Sequence, residues 1–412
     1  MKRRHVLAIT LALALGGALG GCGKKEPPPA PKTEAPKPIE APAVKIGSAS
    51  PLTGPQAHIG IDIRNGVQLA IEDANAAGTE IGGKKVKFEM VAEDDEANPT
   101  KATTVAQKLV DAKVAGVVGH FNSGASIPAS KIYSDAGIPQ ISPSSTNPKY
   151  TQQGFKTTFR VVAHDDQQGP TLGRFAVNTI KAKKIAVIDD STAYGQGLAD
   201  AFEKTAKSLG AQIVAREHTT DKDTDFKAIL TKIKGRGPDL VMFGGIDPQA
   251  GPMVKQMSEL GIKAKYIGGD GMQTPNFIKL ASPAAEGVMA SMPGLPKETM
   301  PGGTAFLQKY KAKFNADVEL FAPMGYDAVM VFIDAMKRAG STDPATYLPE
   351  LSKTNYQGVI GPIAFDPKGD LVNGPITIYV VKGGKWEPLQ TVTPAVEAPQ
   401  SAASPTPDSG KK

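Results

Sequence analysis

The sequence predicts an α/β protein made of two lobes with parallel-sheet cores. Short apolar runs alternate with amphipathic segments along most of the 412-residue chain, and this alternation is typical of parallel sheets covered by helices on both faces. The alternating part, residues 44–390, is too long for one modest domain and suits two lobes of ordinary size. It contains no short-period repeat.

The individual elements follow from the spacing of the apolar residues. The residues Ile63, Val67, Ala70, Ile71 and Ala74 share one face of a predicted helix, and Leu198, Ala201, Phe202 and Leu209 share one face of another. Segment 320–339 keeps the helical spacing over the greatest length and is predicted to be the longest helix. Strand-like runs fall at 44–47, 85–92, 184–188, 211–215, 239–243, 265–267 and 376–381.

The N-terminus has the pattern of a secretory signal peptide. Lys2-Arg3-Arg4 precede an apolar run, 6–15, that is much shorter than the ~20 residues of a membrane-spanning helix. The region Leu19-Gly20-Gly21-Cys22 is similar to a bacterial lipobox. Cys22 is the only cysteine, and acylation would block a thiol that has no partner in an oxidising compartment. We therefore expect a signal peptide at 1–21 and membrane lipid attached through Cys22.

Two further segments are predicted to lie outside the folded core. Residues 22–43 alternate proline with lysine and glutamate, a composition that favours an extended tether of up to ~65 Å. Residues 391–412 are rich in proline, alanine and serine and are predicted to be a disordered tail. The formal net charge is +6, of which the signal carries +3 and the tether +1, so about +2 remains for the fold. This small excess does not indicate a nucleic-acid partner.

Two hydroxyl-rich corners are the strongest local indication of a binding site. Segments 119–126 and 141–148 each follow a short apolar run and precede a predicted helix. The carboxyl ends of parallel strands are where open α/β sheets bind ligands. Backbone N–H groups and hydroxyls that meet in one crevice suit a carboxylate. The alternative is that these serines and threonines only cap helices: Ser123 and Thr146 or Asn147 are good N-caps, and Pro148 suits the first helical position.

Motifs for catalysis or cofactor binding are missing from the sequence. It has no Gly-x-Ser-x-Gly, no His-Glu-x-x-His and no Cys/His cluster with metal-ligand spacing. Gly195-Gln196-Gly197 resembles the start of a dinucleotide loop, but Asp200 stands where the third glycine belongs. We therefore expect no enzyme activity, no cofactor and no metal. Asp94 and Asp95 at a strand end are interpreted as a solvated cap rather than an acid/base pair.

An ordered series of short motifs runs from about Val44 to Trp386. The motifs are Pro51-Leu52-Thr53-Gly54-Pro55, Asn65-Gly66, Gly119-His120, Ile141-Ser142-Pro143, Thr146-Asn147-Pro148, Tyr194-Gly195-Gln196-Gly197, Gly268-Gly269-Asp270-Gly271, and Ile360-Gly361-Pro362 with Gly369-Asp370. Each motif alone is weak, but their order and spacing together are specific. In this respect the chain resembles the leucine/isoleucine/valine-type amino-acid-binding proteins of ABC importers.

The resemblance implies the type I periplasmic binding fold, with two Rossmann-like lobes, a ligand cleft between them and a three-segment hinge. Lobe one is expected at 44–163 plus 292–373, and lobe two at 164–291 plus 374–390. The implied function is the capture of a branched-chain or similar apolar amino acid by an extracytoplasmic lipoprotein. Its expected partners are the small-molecule ligand and ABC permease subunits in the inner membrane. A monomer is expected, with the outer membrane slightly favoured for the anchor because Lys24 is not an aspartate.

The resemblance also implies roles for the residues at the cleft. The α-carboxylate of an amino acid is expected to bind Ser123 and Thr146. The ammonium is expected to bind the carbonyl of Ser145, the hydroxyl of Thr146 and the carboxylate of Asp270. Asp270 stands where related proteins often have glutamate. Enclosing either charge of a zwitterion without partners costs several kcal/mol, which is why such groups are required.

Tyr194 follows a predicted strand and is expected to close over the ligand from lobe two. The side-chain pocket is expected to be apolar, with a wall formed by Ile59, Phe121, Ile246 and Met272. Asp247 lies where an aromatic residue is common, so it makes the pocket more polar if it faces the ligand. Two other functions stay open on the same fold: binding of amides, urea or another small metabolite, and a regulatory lipoprotein that binds a protein partner.

Overall fold

The structure is a computed structural model that describes residues 43–393. The predicted signal peptide, Cys22 and nearly all of the tether lie outside the described residues, as does the tail from residue 394. None of the helices between residues 43 and 393 combines the length and apolar character needed to cross a membrane.

Sixteen strands are present in the described part of the chain, most of them short. In chain order they are β1 (Val44–Ser50), β2 (Glu80–Ile81), β3 (Lys84–Lys85), β4 (Phe88–Asp94), β5 (Gly116–Gly119), β6 (Gln140–Ser142), β7 (Thr158–Arg160), β8 (Lys184–Asp189), β9 (Gln212–His218), β10 (Leu240–Gly244), β11 (Lys265–Gly268), β12 (Met289–Pro293), β13 (Asn355–Gln357), β14 (Pro362–Ala364), β15 (Ile376–Lys382) and β16 (Lys385–Val392).

Twelve α-helices lie between and around these strands in the same described range. They are α1 (Ala57–Ala76), α2 (Pro99–Asp111), α3 (Ser123–Asp135), α4 (Lys149–Gln152), α5 (Asp165–Arg174), α6 (Ala193–Ser208), α7 (Lys227–Lys234), α8 (Asp247–Glu259), α9 (Pro275–Ala281), α10 (Gly303–Phe314), α11 (Ala322–Ala339) and α12 (Pro344–Leu351). A π-helical turn, Phe175–Thr179, continues α5, and 3₁₀ turns cover Asp270–Met272 and Lys297–Thr299.

Each lobe is built on one large sheet. The five-stranded sheet has the order β4-β1-β5-β6-β7 and is parallel throughout. The seven-stranded sheet has the order β16-β15-β12-β11-β10-β8-β9. Its strands from β8 to β12 are parallel, whereas β15 and β16 are antiparallel to their neighbours. The predicted α/β class with two lobes and parallel-sheet cores is confirmed, and the antiparallel pair is an addition that apolar spacing does not reveal.

The chain passes between the lobes three times. It leaves the first sheet after β7, and α5 packs on α6 and β12 of the second lobe. After β12 the chain returns to the first lobe, where α11 packs on α1 and β5. It then enters β15 and continues into β16, which runs two residues into the range predicted as tail. These three passages form the hinge.

The longest helix is α1, with 20 residues, and not α11, with 18. The prediction that segment 320–339 is the longest helix was therefore wrong. Helix α1 begins at Ala57, before the stretch in which its apolar spacing becomes regular. It continues through Gly60 and Gly66, where a side chain would collide with the backbone of Pro51 and of Ala322. These glycines are needed for close packing rather than for a break in the helix.

A single buried carboxylate holds the start of α11 against α1. Asp62 Oδ2 accepts backbone N–H groups of Leu320, Phe321 and Ala322 at 2.8–3.0 Å, and its Oδ1 accepts the N–H of Glu319 at 3.0 Å. These are the N–H groups that a helix start leaves without a partner inside the helix. Asp62 therefore supplies from α1 the cap that α11 lacks in its own sequence.

We predict that Asp62→Ala lowers the free energy of unfolding by about 3 kcal/mol, because it leaves buried N–H groups unpaired. Glu72→Ala is the matched control, since Glu72 is on the same helix in an exposed ion pair with Lys313. That change should cost less than about 0.5 kcal/mol. Urea unfolding followed by circular dichroism measures both values, and equal effects would contradict the capping role.

Candidate ligand-binding site

A cleft lies where the carboxyl ends of strands from the two sheets face each other. The space between its wall atoms is about 230 Å³, open solvent included, so the two lobes leave only a narrow gap between them. Its wall is formed by Phe121, Asn122, Ser123 and Ser144 of lobe one and by Tyr194, Ile246, Asp270 and Gly271 of lobe two. Five of the eight residues predicted for the site therefore meet at one cavity.

The lobe-one wall comes from the two hydroxyl-rich corners. Helix α3 begins at Ser123, so its N-cap is Asn122, one residue before the predicted cap. The Ser123 hydroxyl accepts the backbone N–H of Asn147 at 3.2 Å, which joins the two corners. The Ser144 hydroxyl donates to the carbonyl of Phe121 at 3.0 Å. Each hydroxyl is thus held in place by backbone of the other corner.

Arg160 holds the second hydroxyl-rich corner, residues 141–148, in place. Its side chain is fully buried. The guanidinium donates to the carbonyl of Ser145 at 2.6 Å and to that of Asn147 at 3.1 Å, while its Nε donates to Asp370 at 2.6 Å. The ion pair with Asp370 balances the buried charge of Arg160, and the hydrogen bonds from Arg160 fix the backbone of the corner.

Ser145 and Thr146 are fully buried but do not form the cavity wall. The Ser145 hydroxyl contacts the hydroxyl of Ser126 at 2.6 Å, and the Ser145 carbonyl already accepts from Arg160. A carbonyl oxygen has two lone pairs, so the role of Ser145 toward an ammonium stays a prediction. The Thr146 hydroxyl has no hydrogen-bond partner among residues 43–393. Such a buried orphan is rare and marks a place where a further group is needed.

Lobe two contributes an acid held by neutral groups. Tyr194 lies in the first turn of α6, and its hydroxyl donates to Asp270 Oδ1 at 3.0 Å while it accepts the N–H of Gly271 at 3.2 Å. Asp270 stands in the 3₁₀ turn after β11 and is 2% exposed. The predicted positions of Tyr194 and Asp270 at strand ends of lobe two agree with this geometry.

A second carboxyl, which sequence reasoning missed, lies close to Asp270. Gln168 Nε2 donates to Asp270 Oδ1 at 2.7 Å and to Asp165 Oδ1 at 3.3 Å. Burial, followed by repulsion from Asp270, raises the pKa of Asp165 to about 8. Burial raises the pKa of Asp270 to about 6, against the hydrogen bonds from Gln168 and Tyr194. A cation placed beside this pair would therefore be strongly favoured.

Asp165 Oδ2 is also buried without a hydrogen-bond partner in the described range. The Thr146 hydroxyl is near enough to oppose the rise in the pKa of Asp165, but the geometry between them is not that of a hydrogen bond. In the sequence, Asp165 is an acid at the start of a predicted helix, where the helix dipole stabilises a negative charge in most proteins. The sequence pattern does not distinguish this structural role from a role in ligand binding.

Some predicted pocket residues lie elsewhere. Ile59 is fully buried in the hydrophobic core and does not reach the cavity wall. Met272 is likewise buried in the core of lobe two. The apolar part of the wall consists of Phe121 and Ile246. Asp247 is absent from that wall and instead contacts His58 of lobe one at 2.8 Å.

The lobes are in contact across the cleft. Besides the pair of His58 and Asp247, the side chain of Asn147 in lobe one donates to the carbonyl of Ala193 in lobe two at 2.5 Å. The structure is therefore a closed conformation.

We predict that Asp165→Asn raises stability, and more so at pH 8 than at pH 5. The folded-state pKa of about 8 lies above the ordinary value of an aspartate, so the folded protein keeps a proton that the unfolded chain loses. Wild-type stability therefore falls as pH rises from about 4 to about 8, whereas asparagine does not titrate. The difference in free energy of unfolding between Asp165→Asn and wild type, which we call the gap, should widen by roughly 1–3 kcal/mol from pH 5 to pH 8.

Thermal unfolding of the ligand-free protein at both pH values measures this gap. Asp166→Asn, at the exposed neighbouring position, is the control and should show no widening. An Asp165→Asn gap that is constant with pH would mean that this carboxyl is not held protonated.

Known proteins are similar to this chain over most of its length. The chain is similar to an "Amino acid binding protein" of Pseudomonas aeruginosa, with 40% identity over 339 residues that cover 82% of this chain and 89% of the relative. It is also similar to "Leu/Ile/Val-binding protein homolog 1" of Brucella suis, with 38% identity over 345 residues, 84% of this chain and 90% of the relative.

Solved structures give the same result. A leucine binding protein, LivK, of Thermotoga maritima matches with a TM-score of 0.79 and 30% identity, over 85% of this chain and 99% of that one. LivJ of Streptococcus pneumoniae in complex with isoleucine matches with a TM-score of 0.79 and 31% identity, over 86% and 100%. The pattern that defines the periplasmic binding protein family covers residues 43–385, and the chain belongs to this family.

Proposed function

We propose that this protein captures a branched-chain or similar apolar amino acid outside the cytoplasm and delivers it to an ABC permease. The family membership supports a transport role, and the names of the relatives support leucine, isoleucine and valine as ligands. The chain would act as a binding protein and not as an enzyme.

The observation that carries this proposal is an acid without a counter-charge. Asp270 is buried, and the side-chain hydrogen bonds it receives within residues 43–393 come from Gln168 and Tyr194, which are neutral. Asp165 adds a second carboxyl beside it. The ammonium group of an amino acid supplies the missing positive charge, and the unpaired hydroxyl of Thr146 offers a further partner.

The opposite side of the cavity suits the α-carboxylate. The Ser123 hydroxyl accepts a backbone N–H from Asn147, so its own hydrogen is available to a ligand oxygen. Ser123 also opens α3, where the dipole and free N–H groups favour an anion. The two ends of a zwitterion thus meet opposite lobes, and binding favours the closed state because only that state offers both sets of partners.

The side chain of the ligand would contact Phe121 and Ile246. Both belong to the cavity wall, and both are apolar, which favours an aliphatic group. This part of the wall is small, which suits leucine, isoleucine or valine better than an aromatic amino acid.

We further propose that the protein is a monomeric lipoprotein attached to the membrane through Cys22, with residues 1–21 as signal peptide and 22–43 as tether. The outer membrane is slightly favoured for the anchor. The lobe limits are proposed at 44–163 plus 292–373 and at 164–291 plus 374–390. The passages of the chain between the two sheets, after β7, after β12 and before β15, support these limits to within a few residues.

Isothermal titration calorimetry with L-leucine tests the proposal. Asp270→Asn should weaken binding by a factor that corresponds to about 2–4 kcal/mol, because the buried ammonium loses its counter-charge. Asp190→Asn is the matched control: Asp190 is a buried acid of the same lobe whose pKa is also raised by burial, but it is not part of the cavity wall. The control should bind leucine within about twofold of wild type.

Two results would contradict the proposal. If Asp270→Asn binds leucine with unchanged affinity, Asp270 does not bind the ammonium group. A wild-type protein that binds none of the twenty amino acids would remove the amino-acid assignment itself.

A further inference from the structure

A histidine of one lobe meets an aspartate of the other at the cleft. His58 lies in the first turn of α1, and Asp247 is the first residue of α8. Their atoms Nε2 and Oδ2 are 2.8 Å apart. The aspartate is fully buried, whereas the histidine side chain is 23% exposed, so protons can reach the pair from solvent.

The aspartate is fixed by its own lobe. Its Oδ2 also accepts the hydroxyl of Thr274 at 2.7 Å and the side-chain amide of Asn276 at 2.9 Å. Its Oδ1 is buried and has no partner among residues 43–393. A carboxylate held in this way cannot follow the histidine when the lobes separate, so opening the cleft breaks the contact.

We propose that protonated His58 and Asp247 form a latch between the lobes that stabilises the closed conformation and makes ligand capture tighter in mildly acidic surroundings. The latch itself is inferred from cross-lobe geometry, and only the ligand readout rests on the proposed function.

The charged groups around His58 favour its protonated form in the closed state. Burial lowers the pKa of His58, but the hydrogen bond and charge of Asp247, together with the charges of Glu319 and Asp62, outweigh it, so the pKa is raised. Burial raises the pKa of Glu319 and of Asp62, and the nearby charge of Lys297 opposes this rise in both. Asp247 alone of these belongs to the opposite lobe.

The sign of the pH effect follows from this arrangement. Opening removes from His58 both the contact with Asp247 and part of its burial, and because the net shift of its pKa in the closed state is upward, the pKa is lower in the open state than in the closed one. The closed state is therefore favoured in full below the open-state pKa. This advantage is lost as pH rises through the raised closed-state value. The contact between Asn147 and Ala193 also crosses the cleft, but neither of its groups titrates in this range.

The experiment compares wild type with His58→Gln, which keeps a hydrogen-bond donor but does not titrate. L-leucine affinity of the full chain is measured by calorimetry from pH 5.5 to pH 8. Wild type should bind about fivefold more tightly than His58→Gln at pH 5.5, and within about twofold at pH 8. Other titrating groups, such as Asp165 and Asp270, are the same in both proteins and cancel in this ratio.

His218→Gln is the matched control. His218 also pairs with an aspartate, Asp189 at 2.9 Å, but both belong to lobe two. Its substitution should leave the leucine affinity unchanged at every pH. A pH effect equal to that of His58→Gln would show that loss of any histidine–aspartate pair is sufficient, and would overturn the latch.

Small-angle scattering of the ligand-free protein tests the latch without a ligand. Wild type should be more compact at pH 5.5 than at pH 8, and the change should be clearly smaller in His58→Gln, which keeps only the contribution of Asp165 and Asp270. If leucine binds while the ratio of affinities is constant with pH, the latch is wrong and the proposed function stands. If leucine does not bind, the proposed function fails, and the scattering alone decides whether the latch exists.

Discussion

The closed cleft depends on two carboxyls, Asp165 and Asp270, that are enclosed together with only neutral hydrogen-bond donors around the second. Enclosing a carboxylate in this way is unfavourable unless a positive charge joins it. In the protein without ligand, this cost raises the pKa of both carboxyls. A ligand with an ammonium group removes the cost only when the lobes are closed. Ligand chemistry and lobe closure are thereby linked through one electrostatic requirement.

Two other buried charges of the same molecule, Asp62 and Arg160, have several hydrogen-bond partners and serve the fold. Asp62 receives four backbone N–H groups at the start of α11, and Arg160 is paired with Asp370 and two carbonyls. These groups fix the elements that carry the cleft. By contrast, one oxygen of Asp165 and the hydroxyl of Thr146 have no hydrogen-bond partner among residues 43–393. Asp165 also lies beside Asp270, since Gln168 donates to both.

The sequence predicts the fold class and the main points of the cleft because both depend on local patterns. Alternating apolar runs specify parallel strands and covering helices, and the ordered motifs bring Ser123, Tyr194 and Asp270 to strand ends. The direction of β15 and β16 is not predictable in this way, since apolar spacing is the same in parallel and antiparallel strands. Ile59 packs in the core instead of the cavity wall, and an apolar pattern alone does not separate these two environments. Asp165 was missed because an acid in a first helical turn has a common structural explanation.

A crystal structure of the protein with L-leucine tests the central claim most directly. The account predicts that the ammonium nitrogen lies within about 2.7–3.2 Å of a carboxylate oxygen of Asp270, with the α-carboxylate at Ser123 on the opposite lobe. A leucine bound in the reverse orientation, or one that leaves Asp270 with neutral partners alone, would contradict it.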